Sequence, residues 1–356
     1  MQSHRHVTQQ KDLTHINLHA PRLDLERLHG LITGLTLGDS LGLAVETLSH
    51  IEIANRFGKI RTFLDLSNNT LLKETFVPSG TYSDDAQLTS AIFESYTIAR
   101  EFSLHEIGKA HIRAFDESSL GWGGSTREGV KALKAGHTPD TPQFNQFLGQ
   151  GKGNGIPMKI AAVGAWCVAR GTNPLGAIND VQKVCSLSHP TSVSVSAGAA
   201  HVAGIHYCLT HSAGTFSSEE FLEQVTTASA LGRAYYPETL DEDDITTRLR
   251  DIGKVALGGT QAIIDAYSGG DCYVYNSLPF AYAFFLRDPT NTDQLYEVIE
   301  AGGDTDSNAA MVGALQGALL GPSVFPSHLV SQIIGIKELI GVVERFHKIA
   351  TQSSGQ

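Results

Sequence analysis

The chain has only four cysteines, two tryptophans and three methionines, and its 26 lysines and arginines are outnumbered by 37 aspartates and glutamates. Cys167, Cys185, Cys208 and Cys272 are widely spaced and form no paired-ligand pattern, which excludes the usual zinc arrangements and predicts buried, reduced thiols. A formal charge of −11 argues against nucleic acid as a partner, because phosphate binding needs clustered Lys and Arg. No apolar run approaches the ~20 residues that a membrane helix needs, so no membrane partner is expected. The segment Met1-Gln2-Ser3-His4-Arg5-His6 lacks the apolar stretch of a signal peptide, and a cytoplasmic location is the default expectation. Strand-like alternation is scarce as well, with residues 271–275 (Asp-Cys-Tyr-Val-Tyr) the best local exception.

Helical periodicity is what the chain does have. Leu25, Leu28, Leu31, Ile32 and Leu35 recur at helix spacing. Gly30, Gly34, Gly38 and Gly42 recur every four residues, and Gly313, Gly317 and Gly321 repeat the device near the other end. A glycine stripe weakens an isolated helix, so it implies another backbone or a ligand in close approach. Further helices are expected at 85–100, 103–116, 126–135, 157–170, 174–186, 193–211, 218–230, 244–267, 279–287, 292–301 and 328–350. Asp241-Glu242-Asp243-Asp244 reads as a solvated loop or a helix start. The expected architecture is all-α, a single multi-helix domain over 25–351. An extended N-terminal arm, residues 1–24, rich in Gln, His and Thr, precedes it.

Two acidic clusters carry the chemistry. Ser83-Asp84-Asp85 precedes one expected helix, and Asp304-Thr305-Asp306-Ser307, entered through Gly302-Gly303, precedes another. Helix capping accounts for part of each pattern, since Ser83 or Asp84 can cap and Asp84 with Gln87 has capping-box-like spacing. It does not account for paired acids in both places. If the fold joins the clusters, the four carboxylates need a cation, and hard divalent ions that prefer oxygen are the natural occupants. Within Gly34-to-Glu46, Asp39 and Glu46 are seven apart and would share one helical face. The plainer alternative makes Asp39 a buried hydrogen-bonding group and Glu46 an exposed helix end.

Two glycine-rich loops each open an expected helix. Gly123, Gly124, Ser125 and Thr126 present backbone N–H groups and hydroxyls suited to a phosphate oxygen, and Gly153, Asn154 and Gly155 repeat the arrangement ahead of Met158. Among fifteen histidines only His189, in Ser188-His189-Pro190, stands out by position.

Taken in order from Leu25 to Gly321, these segments resemble the ADP-ribosylglycohydrolase family, which includes ADP-ribosylarginine hydrolases and the dinitrogenase-reductase-activating glycohydrolase. The resemblance implies an orthogonal bundle of helices around a binuclear metal site. Ser83, Asp84, Asp85, Asp304, Asp306 and Ser307 would ligate two Mg2+ or Mn2+ ions. Glu46 matches the acidic residue at the mouth of the site and, with Asp304, would be catalytic. Gly123 to Thr126 and Gly153 to Gly155 would hold the diphosphate and ribose, with Met158 and His189 shaping the pocket. The implied reaction is hydrolysis of ADP-ribose from a modified protein side chain, arginine first, through a metal-oriented ribose and an activated water.

Ser83 stands where the family more often has Thr, and Ala86 replaces a frequent Thr. Trp122 occupies a position that is acidic in the nitrogenase-regulating branch, which argues against that particular role. The arm at 1–24 lies outside the shared motifs. It motivates a second expectation, an immunity protein that binds an ADP-ribosyltransferase toxin and occludes it. A non-catalytic ADP-ribose-binding member is the third, and the intact ligand positions count against it.

Overall fold

The computed structural model describes residues 22–72, 76–141, 144, 151–240 and 244–352. Their α-helices are α1 (Leu25–Gly42), α2 (His50–Arg56), α3 (Asp84–Ala99), α4 (Leu104–Glu117), α5 (Gly124–Lys134), α6 (Ala161–Arg170), α7 (Ile178–Ser186) and α8 (Ser192–Thr210). The chain continues through α9 (Ser218–Gly232), α10 (Ile245–Leu257), α11 (Gly259–Ala266), α12 (Val274–Arg287), α13 (Asp293–Glu300), α14 (Thr305–Leu320), α15 (Ser327–Val330) and α16 (Ile336–Ala350). No strand occurs among the described residues, so the all-α expectation holds. Apart from its last three residues, the N-terminal arm lies outside them.

The glycine stripes at the two ends of the chain form one seam, in which α1 lies against α14 as the most extensive helix pair of the fold. A Cβ placed on Gly30, Gly34, Gly38 or Gly42 would fall under 3.0 Å from the backbone of Gly317, Gly313, Ala309 or Thr305. The backbones are therefore packed with no room for a side chain between them. Thr305 Oγ1 donates to Gly42 O at 2.8 Å, so the first residue of α14 satisfies an orphan carbonyl at the end of α1. At the other end of the seam the Arg27 guanidinium donates to the carbonyls of Cys208, His211, Ala318 and Leu319, gathering the C-termini of α8 and α14. A cation there also suits the negative ends of both helix dipoles.

The span Leu25–Val45 has a mean hydropathy of 1.3 and is apolar and long enough to cross a membrane, contrary to the expectation that no run approaches that length. Its apolarity has another cause, since 94% of its most apolar 18-residue window is buried inside the bundle. An aromatic cluster fixes the far end of α3. Phe93 meets Phe346 edge-on at 4.8 Å, and Tyr96 stacks on Trp166 at 4.7 Å.

Several boundaries differ from expectation. The stretch 244–267 divides at Gly258 and Gly259, where Gly259 turns to φ +82°, and 328–350 divides at Gly335, where φ is +80°. Helix α12 starts at Val274, ahead of Pro279, which sits inside the helix because the surrounding side chains are buried on all sides. Residues 271–275 form no strand. They pair with the 152–154 loop through a lone bridge between Gly153 and Tyr273 and donate from Val274 N to Lys152 O at 2.9 Å. Helix α2 was not expected and owes its start to a capping box between Ser49 and Glu52. Asp244 caps α10, while residues 241–243 lie outside the described set. Cys167, Cys185 and Cys208 are buried free thiols as expected, but Cys272 is exposed because its loop lies at the protein surface.

Replacing Gly313 by Ala should lower stability by about 1–3 kcal/mol or more through overpacking. In an unobstructed helix interior the same change gains roughly 0.5–1 kcal/mol. Thermal unfolding reads the difference, and an unchanged or raised melting temperature would contradict the seam.

Candidate functional site

Ser83 occupies the N-cap position of α3, yet neither Ser83 nor Asp84 caps the helix with its side chain. The cap comes from α1, where Asp39 Oδ1 accepts from Ser83 N at 2.7 Å and Oδ2 accepts from Ala86 N at 2.9 Å. The expected Asp84–Gln87 box is absent. Gln87 instead donates to Ala114 O at 2.7 Å and accepts from Trp122 Nε1 at 2.8 Å. Asp39 is thus the buried hydrogen-bonding group of the plainer reading, with 0% of its surface exposed.

Asp304 occupies the N-cap position of α14 and follows Gly302 and Gly303, both at positive φ and both pressed against backbone. Gly303 N donates to Leu48 O at 3.0 Å, and Thr47 N donates to Gly303 O at 2.8 Å, which fastens the turn after α1 to the start of α14. Asn154 Nδ2 donates to Asp304 Oδ2 and to Ser277 Oγ, each at 2.9 Å. Behind it Ser277 Oγ donates to Asn308 Oδ1 at 2.7 Å, and Asn308 Nδ2 donates to Gly270 O at 2.7 Å.

The two acidic clusters meet at Asp85. Its Oδ2 accepts from Ser83 Oγ at 3.2 Å and from Ser307 Oγ at 3.3 Å, while its Oδ1 is buried without a partner. Ser307 Oγ also lies 3.8 Å from Met158 Sδ. On the other side, carboxylate oxygens of Glu46, Asp304 and Asp306 lie within 4.8 Å of one another. Asp39 and Glu46 do not share a helical face as expected, because α1 ends at Gly42 and a short 3-10 turn at Leu43–Val45 redirects the chain. That turn is what swings Glu46 toward Asp304. Glu46 Oε2 accepts from Asn69 Nδ2 at 3.0 Å, and Asn69 also donates to Leu43 O at 2.7 Å.

Burial and mutual repulsion dominate the electrostatics. Burial first, then the charge of Asp304, pushes Glu46 up to about 7. Burial and the neighbouring Asp39 push Asp84 up to about 8. Asp85 is held well above the carboxylate range by burial and by Asp39, and Asp306 by burial and by Glu46. Burial likewise raises Asp39 to about 6 against its backbone bonds. Lys159, fully buried with an unpartnered ammonium, is pushed down to about 8 by burial, although Asp84, Cys185 and Asp85 oppose that. One lysine cannot balance five site carboxylates. A divalent cation fits the donor set, which is oxygen throughout and includes an orphaned buried carboxylate atom.

The glycine-rich loops lie on the same neighbourhood. Gly123 is the N-cap of α5 and Gly124 its first residue, and a Cβ on either would meet nothing, so this helix N-terminus faces open space. Ser125 is half-buried and Thr126 buried. Gly155 leaves room for His189, whose Cε1 would lie 2.7 Å from a Cβ there, and Thr126 Oγ1 would lie 3.5 Å away. His189 Nδ1 pairs with Ser188 Oγ at 2.8 Å, and burial pushes the imidazole down to about 3, which keeps it neutral. Gly121 packs on Ser83 and Asp84. Sequence reading passed over Asn69, Lys159, Ser277 and Asn308, which are ordinary polar residues in sequence and become visible only as buried partners of the acidic groups.

The family model for ADP-ribosylglycohydrolase matches residues 20–355. The chain belongs to that family. It is a hydrolase of ADP-ribose glycosidic bonds. It is 25% identical to the ADP-ribosylhydrolase ARH3 of Mus musculus, over 93% of each chain. To ARH3 of Homo sapiens it is 26% identical, over 92% of this chain and 95% of the relative. A solved structure titled ADP-ribosylglycohydrolase-related protein complex shares the fold with a TM-score of 0.67 at 19% identity, covering 92% of this chain and 98% of that one.

The raised carboxyls set the pH dependence of the metal-free protein. Between the unfolded values near 4 and the folded values of about 6 to 8, the folded state holds more protons at these carboxyls, so their contribution to stability falls as pH rises. Below about pH 6.5 the buried neutral histidines His111, His189, His201 and His206 act in the opposite sense, so in EDTA the melting temperature should drop from about pH 7 to pH 8. Millimolar Mn2+ should restore it most at the alkaline end. A melting temperature that rises over that range in EDTA would contradict the electrostatic account.

Proposed function

We propose that this family member removes ADP-ribose from ADP-ribosylated arginine side chains and works with two divalent cations, Mg2+ or Mn2+. The observation that carries the reading is the convergence of Glu46, Asp304 and Asp306, whose carboxylate oxygens lie within 4.8 Å of one another, with Asp85, which is bonded to Ser307 and keeps one buried oxygen unpartnered. Ser83, Asp84, Asp85, Asp304, Asp306 and Ser307 would hold the ions. Bound there, divalent cations supply charge neutralisation and Lewis acidity toward the ribose hydroxyls.

The chain's own residues do the rest. The open N-terminus of α5, at Gly123 to Thr126, receives the diphosphate through its N–H groups and positive dipole end. Asn154 and its glycine neighbours hold the adjoining ribose, and the hydrogen-bond line through Ser277 and Asn308 keeps Asn154 in place. Glu46 moves the proton between water and the leaving nitrogen as the bond at C1 breaks, the part a carboxyl poised near neutral pH can play. Charge developing on the sugar ring in the transition state is stabilised by the surrounding carboxylates.

Arginine is supported by the charge around the mouth. The Cys272 thiol is raised by partial desolvation and then by the charges of Asp304 and Asp271, with Glu46 adding to them, so three carboxylates stand on this side of the mouth. A guanidinium leaving group suits that field, whereas a neutral serine hydroxyl gains nothing from it.

Parallel assays on arginine-, serine- and nucleic-acid-linked ADP-ribose test the linkage. Release from arginine is expected to exceed the others, and preference for serine would overturn the arginine assignment while leaving the hydrolase. Asp304→Ala should abolish release, and chelation should do the same reversibly. Full activity after stoichiometric metal removal would defeat the two-cation reading. Asn69→Ala, which releases Glu46 from its partner, should lower kcat/KM about 10- to 100-fold. A change confined to melting temperature would show that Asn69 serves only the loop.

A further inference from the structure

A helix that starts at a serine ordinarily uses the serine hydroxyl to accept from the N–H three residues on, and a side chain at that third position can return a bond to the serine N–H. In α3 those two N–H groups belong to Ala86 and Ser83, and Ala86 has no side chain able to return the bond. One carboxylate from another helix makes both bonds instead, Asp39 accepting from Ser83 N at 2.7 Å and from Ala86 N at 2.9 Å. Ser83 Oγ makes no capping bond and is turned to Asp85 Oδ2 at 3.2 Å. Asp39 is fully buried, takes these two backbone bonds with the Ser83 hydroxyl also beside its carboxyl, and stands outside the Glu46, Asp304 and Asp306 triad.

We infer that Asp39 is a positioning residue for the metal centre: by capping α3 from α1 it relieves Ser83 of that duty and leaves its hydroxyl among the site carboxyls, where it can ligate. Helix α1 thereby sets both halves of the site. Gly38 and Gly42 fix it against the start of α14, and Asp39, between them, fixes it against the start of α3. The inference rests on the metal reading for its consequence but not for the cap exchange, and the two parts are read separately.

The test uses the full chain as wild type, Ser83→Ala, Asp39→Ala and the double variant. Melting temperature is measured in EDTA, and Mn2+ affinity by electron paramagnetic resonance. In the wild-type background Ser83→Ala should lower the EDTA melting temperature only by the loss of its bond to Asp85, with no loss of the helix cap, and weaken Mn2+ binding about tenfold or more. In the Asp39→Ala background the hydroxyl has reverted to capping. The same change should then lower the melting temperature by at least about 2 °C more than in the wild-type background and cost no further Mn2+ affinity. If Asp39→Ala gives no folded protein, Asp39→Asn carries the same cycle, with one of the two bonds lost.

Equal melting-temperature effects of Ser83→Ala in both backgrounds would overturn the cap exchange. Affinity losses that multiply in full would overturn the link from cap to metal. Wild-type protein that binds no Mn2+ would defeat the metal reading, and the melting-temperature pair would still decide the cap.

Discussion

The close approach of α1 and α14 is the constraint on which the rest depends. Because glycine faces backbone along this seam, neither helix can slide or rotate without overlap, and the register of one fixes the other. Asp304, Asp306 and Ser307 stand at the start of α14, while Glu46 hangs from the turn after α1. The seam therefore delivers residues from opposite ends of the chain to one place. The bonds among Thr47, Leu48 and Gly303 and the Thr305 bond to Gly42 lock the junction where they meet.

What is delivered is unfavourable by itself. Carboxyls buried side by side cannot all ionise, and Asp85, Asp306, Asp84 and Glu46 are all raised by burial and then by neighbouring carboxylates, Asp304 among them in each case. A fold that spends stability to hold such a group has a site waiting for positive charge. Lys159 is the buried cation that acts on Asp84 and Asp85, and in the proposed function divalent cations would match the remainder. Tight helix packing, with its own large gain from burial and dispersion, is what allows the cluster to persist.

Much of this is written in the sequence in local form. Leucines at helix spacing and glycines four apart announce α1 and its close partner, and acids placed just after glycine announce two helix starts with more oxygen than a cap requires. Breaks at Gly258 and Gly335 are less legible, because a glycine inside a helical pattern reads the same whether the chain turns there or passes through. Pro279 misleads in the other direction, marking a start that burial moves earlier. Asp39 leaves no local trace of its role, since the helix it caps lies 44 residues away. Asn69 and Lys159 are likewise unremarkable in sequence, and their meaning comes from burial beside charge.

The central claim is that the two acidic clusters form one cation centre. Anomalous diffraction from crystals of the wild-type chain loaded with Mn2+ tests it most directly. The account predicts two peaks enclosed by Ser83, Asp84, Asp85, Asp304, Asp306 and Ser307. Saturating Mn2+ that gives no peak among these residues would contradict it.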